Sequence, residues 1–521
     1  MVVNKNALFS RFNAPFSINN LRWLRQSRAR RSKAATSGPA FLMYDLYTAV
    51  LGFGFLRRST SCIHAVVRAS LPRTHKKITI FKDMLKVIVT LLLFTSWSVQ
   101  ASPKIETWKT SKGTEVYYVH APELPMVDIE IIFDAGGSRN GKLPGLAAMT
   151  AGLLSQGAAG LDADAISNAF ESLGANYGAS AGYDSASVSL RTLTDETLLT
   201  KAIENLKWLI SKPDFPKDAL ERNRSRTLIG LKAKQQSPGA IAKDKFMSAI
   251  YQSHPYASPN DGTEKSIAAI KRKDILAFYK KYYVAKNAMV AIVGAVDRKQ
   301  AEQLAEEVTS ELKEGNKAEP LENVKALTKA ETIFIEHPST QTHILVGQPG
   351  LKRGDPDYFP LYVGNHVLGG GGMVSRLFEE IREKRGLSYS AYSYFSPMRF
   401  NGPFLAGLQT KSDQVDEALS VLMENINSYI ETGPTEEELI ASKKNITGGY
   451  PLRIDSNSKI LSYLVVIAYY KLPLDYLDTF NANVEAVTIE QIKDAFNRRV
   501  TPDKLVTVMV GSSKDAKKTA P

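Results

Sequence analysis

The chain has 521 residues, 44% of them hydrophobic and 23% charged, the composition of a globular protein with room for two or more cored domains. Its net charge of +13 is confined to one end: residues 1–101 hold 16 lysines and arginines against two acids, Asp45 and Asp83, while the remaining 420 residues carry 50 basic and 51 acidic side chains. A neutral body argues against a nucleic-acid partner, and the sole cysteine, Cys62, lies in the basic leader, which excludes disulfides and cysteine-ligated metals from the body.

Taken in order, residues 1–83 are a basic leader, Arg-rich over 22–33 and apolar over 40–56. Residues 84–101 read as a secretory signal peptide. Lys76, Lys77, Lys82 and Lys86 supply its positive region, Val87 to Phe94 its short apolar core, and Val99-Gln-Ala101 its cleavage positions. The apolar run is far shorter than the roughly 20 residues a membrane-spanning helix needs. A secreted, periplasmic protein is therefore expected, with an uncleaved anchor as the alternative. A signal should open a chain, so Met84 is the expected start; the other reading of 1–83 is a basic extension with its own membrane contact.

The body begins at Lys104. Val127–Phe133 alternates with period two, a half-buried strand. A Gly-rich loop follows, then an apolar helix over Leu146–Leu154. Asp162 is placed to cap a helix over Ala163–Leu173. Ala179–Leu193 reads as paired strands, Leu198–Ile210 as an amphipathic helix, and Pro216 opens another long helix. Lys273–Tyr283 is helical, Ala288–Gly294 is a buried strand, and Arg298–Leu312 is the last helix before a polar linker over 314–330.

Beyond the linker the order recurs. A strand at Thr342–Gly347 precedes helices over Tyr358–Leu368 and Val374–Arg385. Strands are predicted over Leu387–Phe395 and Gly402–Gln409, helices over 413–431, 435–447 and 487–497, and a closing strand over Leu505–Gly511. Val293-Gly-Ala-Val-Asp echoes Val510-Gly-Ser-Ser-Lys. The prediction is an α+β protein of two similar halves, 102–313 and 331–521, each a mixed β-sheet covered by helices on one face.

Several segments, in the right order over nearly all of 104–511, resemble the insulinase/pitrilysin family of zinc metallopeptidases, in its small two-domain bacterial branch similar to mitochondrial processing peptidase. They are His254-Pro-Tyr with Gly262-Thr and Ile267; Phe278-Tyr-Lys-Lys-Tyr-Tyr with Asn287-Ala and Val293-Gly; and Leu368-Gly-Gly-Gly-Gly-Met-Val-Ser-Arg-Leu-Phe-Glu-Glu-Ile-Arg-Glu-Lys-Arg-Gly-Leu-Ser-Tyr389. The resemblance implies the processing-peptidase/LuxS-like metallohydrolase fold. Catalytic members carry His-x-x-Glu-His on a first-half helix, two histidines one turn apart binding zinc and a glutamate activating the metal-bound water. Gly145-Leu-Ala-Ala-Met-Thr-Ala-Gly152 occupies that place here. Ala148, Ala151 and Gly152 replace His, Glu and His, and Ile229 and Gly230 stand where the distal glutamate belongs. No metal site is expected in this chain, and zinc is expected in a partner subunit. The body histidines His120, His254, His337, His343 and His366 include no pair at i, i+3 or i, i+4; His254 is expected to stabilise its turn.

The second half keeps Arg382 and Tyr389. In related enzymes an arginine and a tyrosine at this spacing reach toward the zinc site of the facing half, where a guanidinium and a phenol stabilise the oxyanion of peptide hydrolysis. On spacing alone they read as a helix-end charge and a strand core residue. Gly369, Gly370, Gly371 and Gly372 lack the Gly-Lys-Ser/Thr of a phosphate loop and read as a flexible turn, with a lesser part as a substrate loop. Tyr392, Tyr394 and Phe395 are predicted in the sheet core, with Tyr389 the exception. The expected function is that of a non-catalytic subunit that pairs with a zinc-bearing peptidase subunit and contributes Arg382 and Tyr389 to peptide binding in trans. A stand-alone peptide-binding or assembly protein and a self-sufficient zinc peptidase are the alternatives.

Overall fold

The computed structural model describes residues 104–513. The basic leader, the signal-like stretch and the end of the predicted second half lie outside the described residues. The first half runs β1 (Ile105–Lys109), β2 (Glu115–His120), β3 (Met126–Phe133), α1 (Leu146–Leu153), α2 (Ala163–Glu171), β4 (Asn176–Ala181), β5 (Ala186–Leu193), α3 (Glu196–Ser211), α4 (Lys217–Lys234), α5 (Pro238–Tyr251), α6 (Glu264–Ala269), α7 (Arg272–Tyr282), β6 (Ala288–Gly294) and α8 (Arg298–Thr309). The second runs β7 (Glu331–Glu336), β8 (Gln341–Pro349), α9 (Tyr358–Asn365), β9 (Ser388–Phe395), β10 (Pro403–Lys411), α10 (Val415–Thr432), α11 (Glu436–Gly449), α12 (Asn457–Tyr470), α13 (Tyr476–Glu485), α14 (Ile489–Arg499) and β11 (Val506–Gly511).

Local chemistry sets most of these boundaries. The Asp162 carboxylate accepts the Ala165 N–H at 2.9 Å and starts α2, as its position predicts. Asp195 does the same for α3, and reciprocal capping boxes open α11 (Thr435 with Glu438) and α14 (Thr488 with Gln491). β5 alternates buried and half-buried residues, whereas every residue of β6 is buried.

The two sheets have the same plan. In the first the strand order is β1-β2-β6-β3-β5-β4, and in the second β9-β10-β8-β11-β7. Read from the opposite end, the second order matches the first without its outermost strand. In both, the closing strand has one parallel neighbour from the start of the half (β2 with β6, β7 with β11), and the other neighbours are antiparallel. The α+β architecture of two similar halves is thus as read from the sequence.

The helical cover is not confined to one face. α12 of the second half packs on β3 and β6 of the first, and α5 of the first packs on β8 and β11 of the second. Tyr117, Val119, Ile132, Met289, Ala291 and Val293 join the second half's core through α12. Ala242, Phe246, Met247 and Ile250 of α5 join Leu345, Leu405, Val506, Val508 and Val510. Each half's own helices cover one face of its sheet, as read from the sequence; the other face is apolar too, and each half lends a helix to the other to cover it. β1, β2, β7, α5, α6, α12 and α13 were not among the predicted elements.

The halves are also joined by polar contacts. The buried Asp184 carboxylate accepts the Tyr470 hydroxyl at 2.9 Å, the Arg399 backbone N–H at 2.8 Å and the Tyr256 hydroxyl. The Arg399 guanidinium pairs with Asp134, which also takes a two-pronged contact from Arg139. Residues 314–330 form no helix or strand, yet they are fastened along the first half: Ala318 N–H donates to Asn287 Oδ1 at 2.9 Å, and Leu327 is buried.

Candidate functional site

α1 begins where Gly145 turns the chain at φ +90°, a conformation that favours glycine; a Cβ there would also stand 2.7 Å from Ile267 Cδ1. The Asn140 side chain accepts the Ala147 N–H at 2.7 Å and satisfies one of the helix's first donors. α1 then packs on β4, β5, α4 and α7. Ala148 and Gly152, one turn apart, are half-buried on one face, and Ala151 is buried.

The groups facing them come from α4. A Cβ on Gly152 would meet Asn223 Nδ2 at 3.3 Å, and Asn223 Oδ1 accepts the Thr227 hydroxyl at 3.3 Å. Farther along α4, Ile229 is 69% exposed and Gly230 faces open space. The place where the family holds zinc is therefore lined by methyl groups, a glycine, an amide and a hydroxyl. None of these is an imidazole, thiolate or carboxylate, the donors zinc takes, so the residues present do not fit the metal. Among the described residues, no group of three or more His, Cys, Asp or Glu could hold a metal ion.

The histidines have separate structural partners. His254 Nδ1 accepts the Tyr256 N–H at 3.2 Å and its Nε2 lies 3.1 Å from the Glu322 carbonyl, so it caps the turn Pro255–Ala257, the role read from the sequence. His366 lies between Ser442 Oγ at 3.0 Å and Asn445 Oδ1 at 3.1 Å. His120 Nδ1 lies 2.9 Å from the Val296 carbonyl, and burial lowers the pKa of His343, helped by the nearby His337.

In the second half, Arg382 and Tyr389 come together. Arg382 lies on a π-helical turn over Glu379–Glu383 that continues the short helix Arg376–Phe378. Its guanidinium carbon is 4.5 Å from the Tyr389 ring centre and 4.7 Å from that of Phe378, within cation–π range of both. Its nearest carboxylate is Glu383, 3.6 Å away. Tyr389 is 72% exposed. A bulge puts it there: the pairing of β9 with β10 shifts between Ser388 and Ala391. Ala391 and Ser393 face the core, and strict alternation from them would turn Tyr389 inward. The Ser388 hydroxyl stabilises the bulge, 2.8 Å from the carbonyls of Ser390 and Gln409 while accepting the Ser390 N–H. The sequence showed the two residues and their spacing but not the bulge.

Two further expectations are corrected. Tyr392 and Tyr394 are not core residues of β9; they stand on the face opposite Ala391 and Ser393, stacked with centres 6.0 Å apart and each 37% exposed. Nor is Gly369–Gly372 a free turn. α9 runs on into a π-helical turn over His366–Gly370, where a Cβ on Gly370 would stand 2.7 Å from Asn365 Nδ2 and one on Gly371 2.7 Å from the His366 carbonyl oxygen. Only Gly372 has positive φ, at +62°, and beyond it Met373 and Val374 are 77% and 74% exposed. That solvent-facing apolar pair beside the loop was not singled out in the sequence, where Val374 only opens a predicted helix.

Two sheet-and-helix halves of one plan, with a helix bearing no donors where the metal would sit, define a metallopeptidase-type fold of the inactive kind. The profile of the insulinase (peptidase family M16) domain matches residues 115–264, and that of the peptidase M16 inactive domain matches 269–446. A crystal structure of a peptidase M16 inactive domain from Pseudomonas fluorescens is 39% identical, covers 78% of this chain and 98% of its own, and superposes with a TM-score of 0.76. The non-peptidase homolog YmxG of Helicobacter pylori is 27% identical over 439 residues, 83% of this chain and all of that one. A protease structure from Helicobacter pylori shares the fold at 19% identity, with a TM-score of 0.71 over 79% of this chain and 100% of that one. The chain belongs to the peptidase M16 (insulinase) family, as an inactive homologue.

Proposed function

We propose that this chain is the non-catalytic subunit of a two-subunit M16 peptidase of the periplasm, exported by the signal over 84–101. A partner subunit that retains His-x-x-Glu-His would hold the zinc, and this chain would offer Arg382 and Tyr389 to the substrate there. The observation that carries the reading is the Arg382–Tyr389 pair itself. The two residues have the spacing that the family resemblance implies for a substrate-binding pair, and a bulge holds the phenol outward beside the guanidinium. A guanidinium whose faces rest on Tyr389 and Phe378, with one loose carboxylate neighbour, keeps N–H donors free. Those donors and the Tyr389 hydroxyl suit a peptide carbonyl that gains negative charge. Half one supports the reading from the other side, because its residues fit no metal of their own.

The test is peptidase assay of the co-purified pair. Removing one donor to a developing oxyanion costs about 10²- to 10³-fold in kcat. Arg382→Ala and Tyr389→Phe in this chain are expected to lower kcat of the pair toward that range, with KM much less affected. Unchanged cleavage by a pair carrying both substitutions overturns the proposal. A stand-alone peptide-binding role predicts instead that the isolated chain binds peptides as tightly as any pair does and retrieves no zinc-bearing homologue.

A further inference from the structure

Among the described residues, the second sheet lacks one strand that the first has. In the first, β1 covers the outer edge of β2, with Lys109 opposite Glu115 and Ile105 opposite Val119. In the second, β7 is the outermost strand among the described residues, and nothing pairs with its far side. Position by position β7 is the counterpart of β2: Glu115 and His120 open and close the pairing of β2 with β6, as Glu331 and Glu336 do that of β7 with β11. The Glu331 N–H donates to the Leu505 carbonyl and the His337 N–H to that of Gly511, so alternate residues face β11. The backbone groups of Thr332, Phe334 and Glu336 therefore face outward. The missing strand also uncovers a side chain. Tyr118 of β2 is 2% exposed beneath Trp108 of β1, its ring edge-on at 6.1 Å, whereas its counterpart Phe334 is 43% exposed.

We propose that the open edge of β7 takes an extended segment of a partner protein as a sixth, antiparallel strand, one with a basic residue at each end and an aromatic residue beside Phe334. Glu331 and Glu336 select that chemistry. Both are exposed and have no ion-pair partner among the described residues; Glu336 only accepts the Ser513 N–H at 3.2 Å. A second copy of this chain serves them less well: outward residues pair with outward residues, so antiparallel self-pairing centred on Phe334 sets Glu336 opposite Thr332 and Glu331 opposite His337, with no lysine or arginine at either. The strand that does fit is exemplified within the molecule. In the register of β1 on β2, the sequence Lys104-Ile-Glu-Thr-Trp-Lys109 laid on β7 puts Lys109 opposite Glu331, Lys104 opposite Glu336 and Trp108 diagonal to Phe334. Main-chain hydrogen bonds supply affinity at such an edge and the flanking charges supply selection.

The test uses the full chain and a fluorescein-labelled peptide Lys-Ile-Glu-Thr-Trp-Lys-Thr, read by anisotropy. Saturable binding is expected, at least tenfold weaker to Glu331→Lys/Glu336→Lys and restored on that variant when glutamates replace both peptide lysines. Thr332→Pro removes an outward N–H without touching the ladder to β11 and is expected to abolish binding. A peptide N-methylated on its edge-facing amides must also fail to bind, which tests the same hydrogen bonds without altering the protein. No saturable binding, or binding indifferent to charge reversal and to N-methylation, overturns the proposal. So does a dimer in light scattering that Thr332→Pro dissolves, because the edge then belongs to a second copy.

Discussion

At the scale of single residues, the lost metal site is defined by what its positions now prefer. Gly152 lies inside α1 with ordinary helical geometry, and a Cβ there meets only the end of the Asn223 side chain at 3.3 Å. Gly152→Ala is therefore expected to raise stability by about 0.5–1 kcal/mol in chemical denaturation once Asn223 shifts slightly. A loss of stability would mean that the Asn223–Thr227 contact is rigid. The histidines give a pH dependence. Burial is the first cause that lowers the pKa of His254, His343 and His366 below 6.5. The unfolded chain then binds more protons than the folded one in the range just below that value. The histidine contribution to stability is complete above pH 6.5 and lost as pH falls through it. Urea midpoints between pH 7.5 and 5 are expected to fall, and His366→Gln to flatten part of the slope. The sequence displayed the emptied motif fully, since Ala148, Ala151 and Gly152 are what they are wherever they lie. It could not display the setting of Tyr389, which depends on a one-residue bulge held by Ser388, nor the outward turn of Tyr392 and Tyr394, which follows from the same register.

At the scale of elements, periodicity tells which side chains are buried but not what buries them. The apolar stripe of α12 (Ile460, Leu461, Leu464, Ile467 and Ala468) would serve equally against its own sheet or another. The structure places it on β3 and β6 of the other half. The same ambiguity hid α5, and the polar residues within or at the ends of β1, β2 and β7 left apolar stretches too short to read, while β6 and β11 were legible from their apolar runs and β3 and β5 from their alternation. Because α5 fills the space over β8 and β11, it is predicted to be energetically costly to thin. Phe246 is fully buried there, with its ring against Gly347. Phe246→Ala is expected to cost about 3–5 kcal/mol, measured by denaturant titration, although the residue is far in sequence from the sheet it supports. A cost below 1 kcal/mol would show that α5 rides loosely on that sheet.

At the scale of the whole molecule, the exchange of helices makes the two similar halves one folding unit. Removal of the second half strips α12 from the first sheet and exposes Tyr117, Val119, Ile132, Met289, Ala291 and Val293 together, a patch that a soluble domain rarely presents. It also leaves the buried Asp184 without the Tyr470 hydroxyl and the Arg399 N–H, and Asp134 without the Arg399 guanidinium. The fragment thus loses these hydrogen bonds and the ion pair as well as the apolar cover. Residues 104–313 expressed alone are therefore expected to lack a cooperative unfolding transition and to aggregate, and 331–513 likewise without α5. Mixed during refolding, the two fragments are expected to recover a single transition and the size of the intact body, read by circular dichroism and size exclusion. Arg399→Ala in the intact chain should lower the midpoint of that transition without splitting it, because α5 and α12 still tie the halves together. Two separate transitions, or a first half that folds cooperatively alone, would show that the exchanged helices are an adornment of two self-sufficient domains.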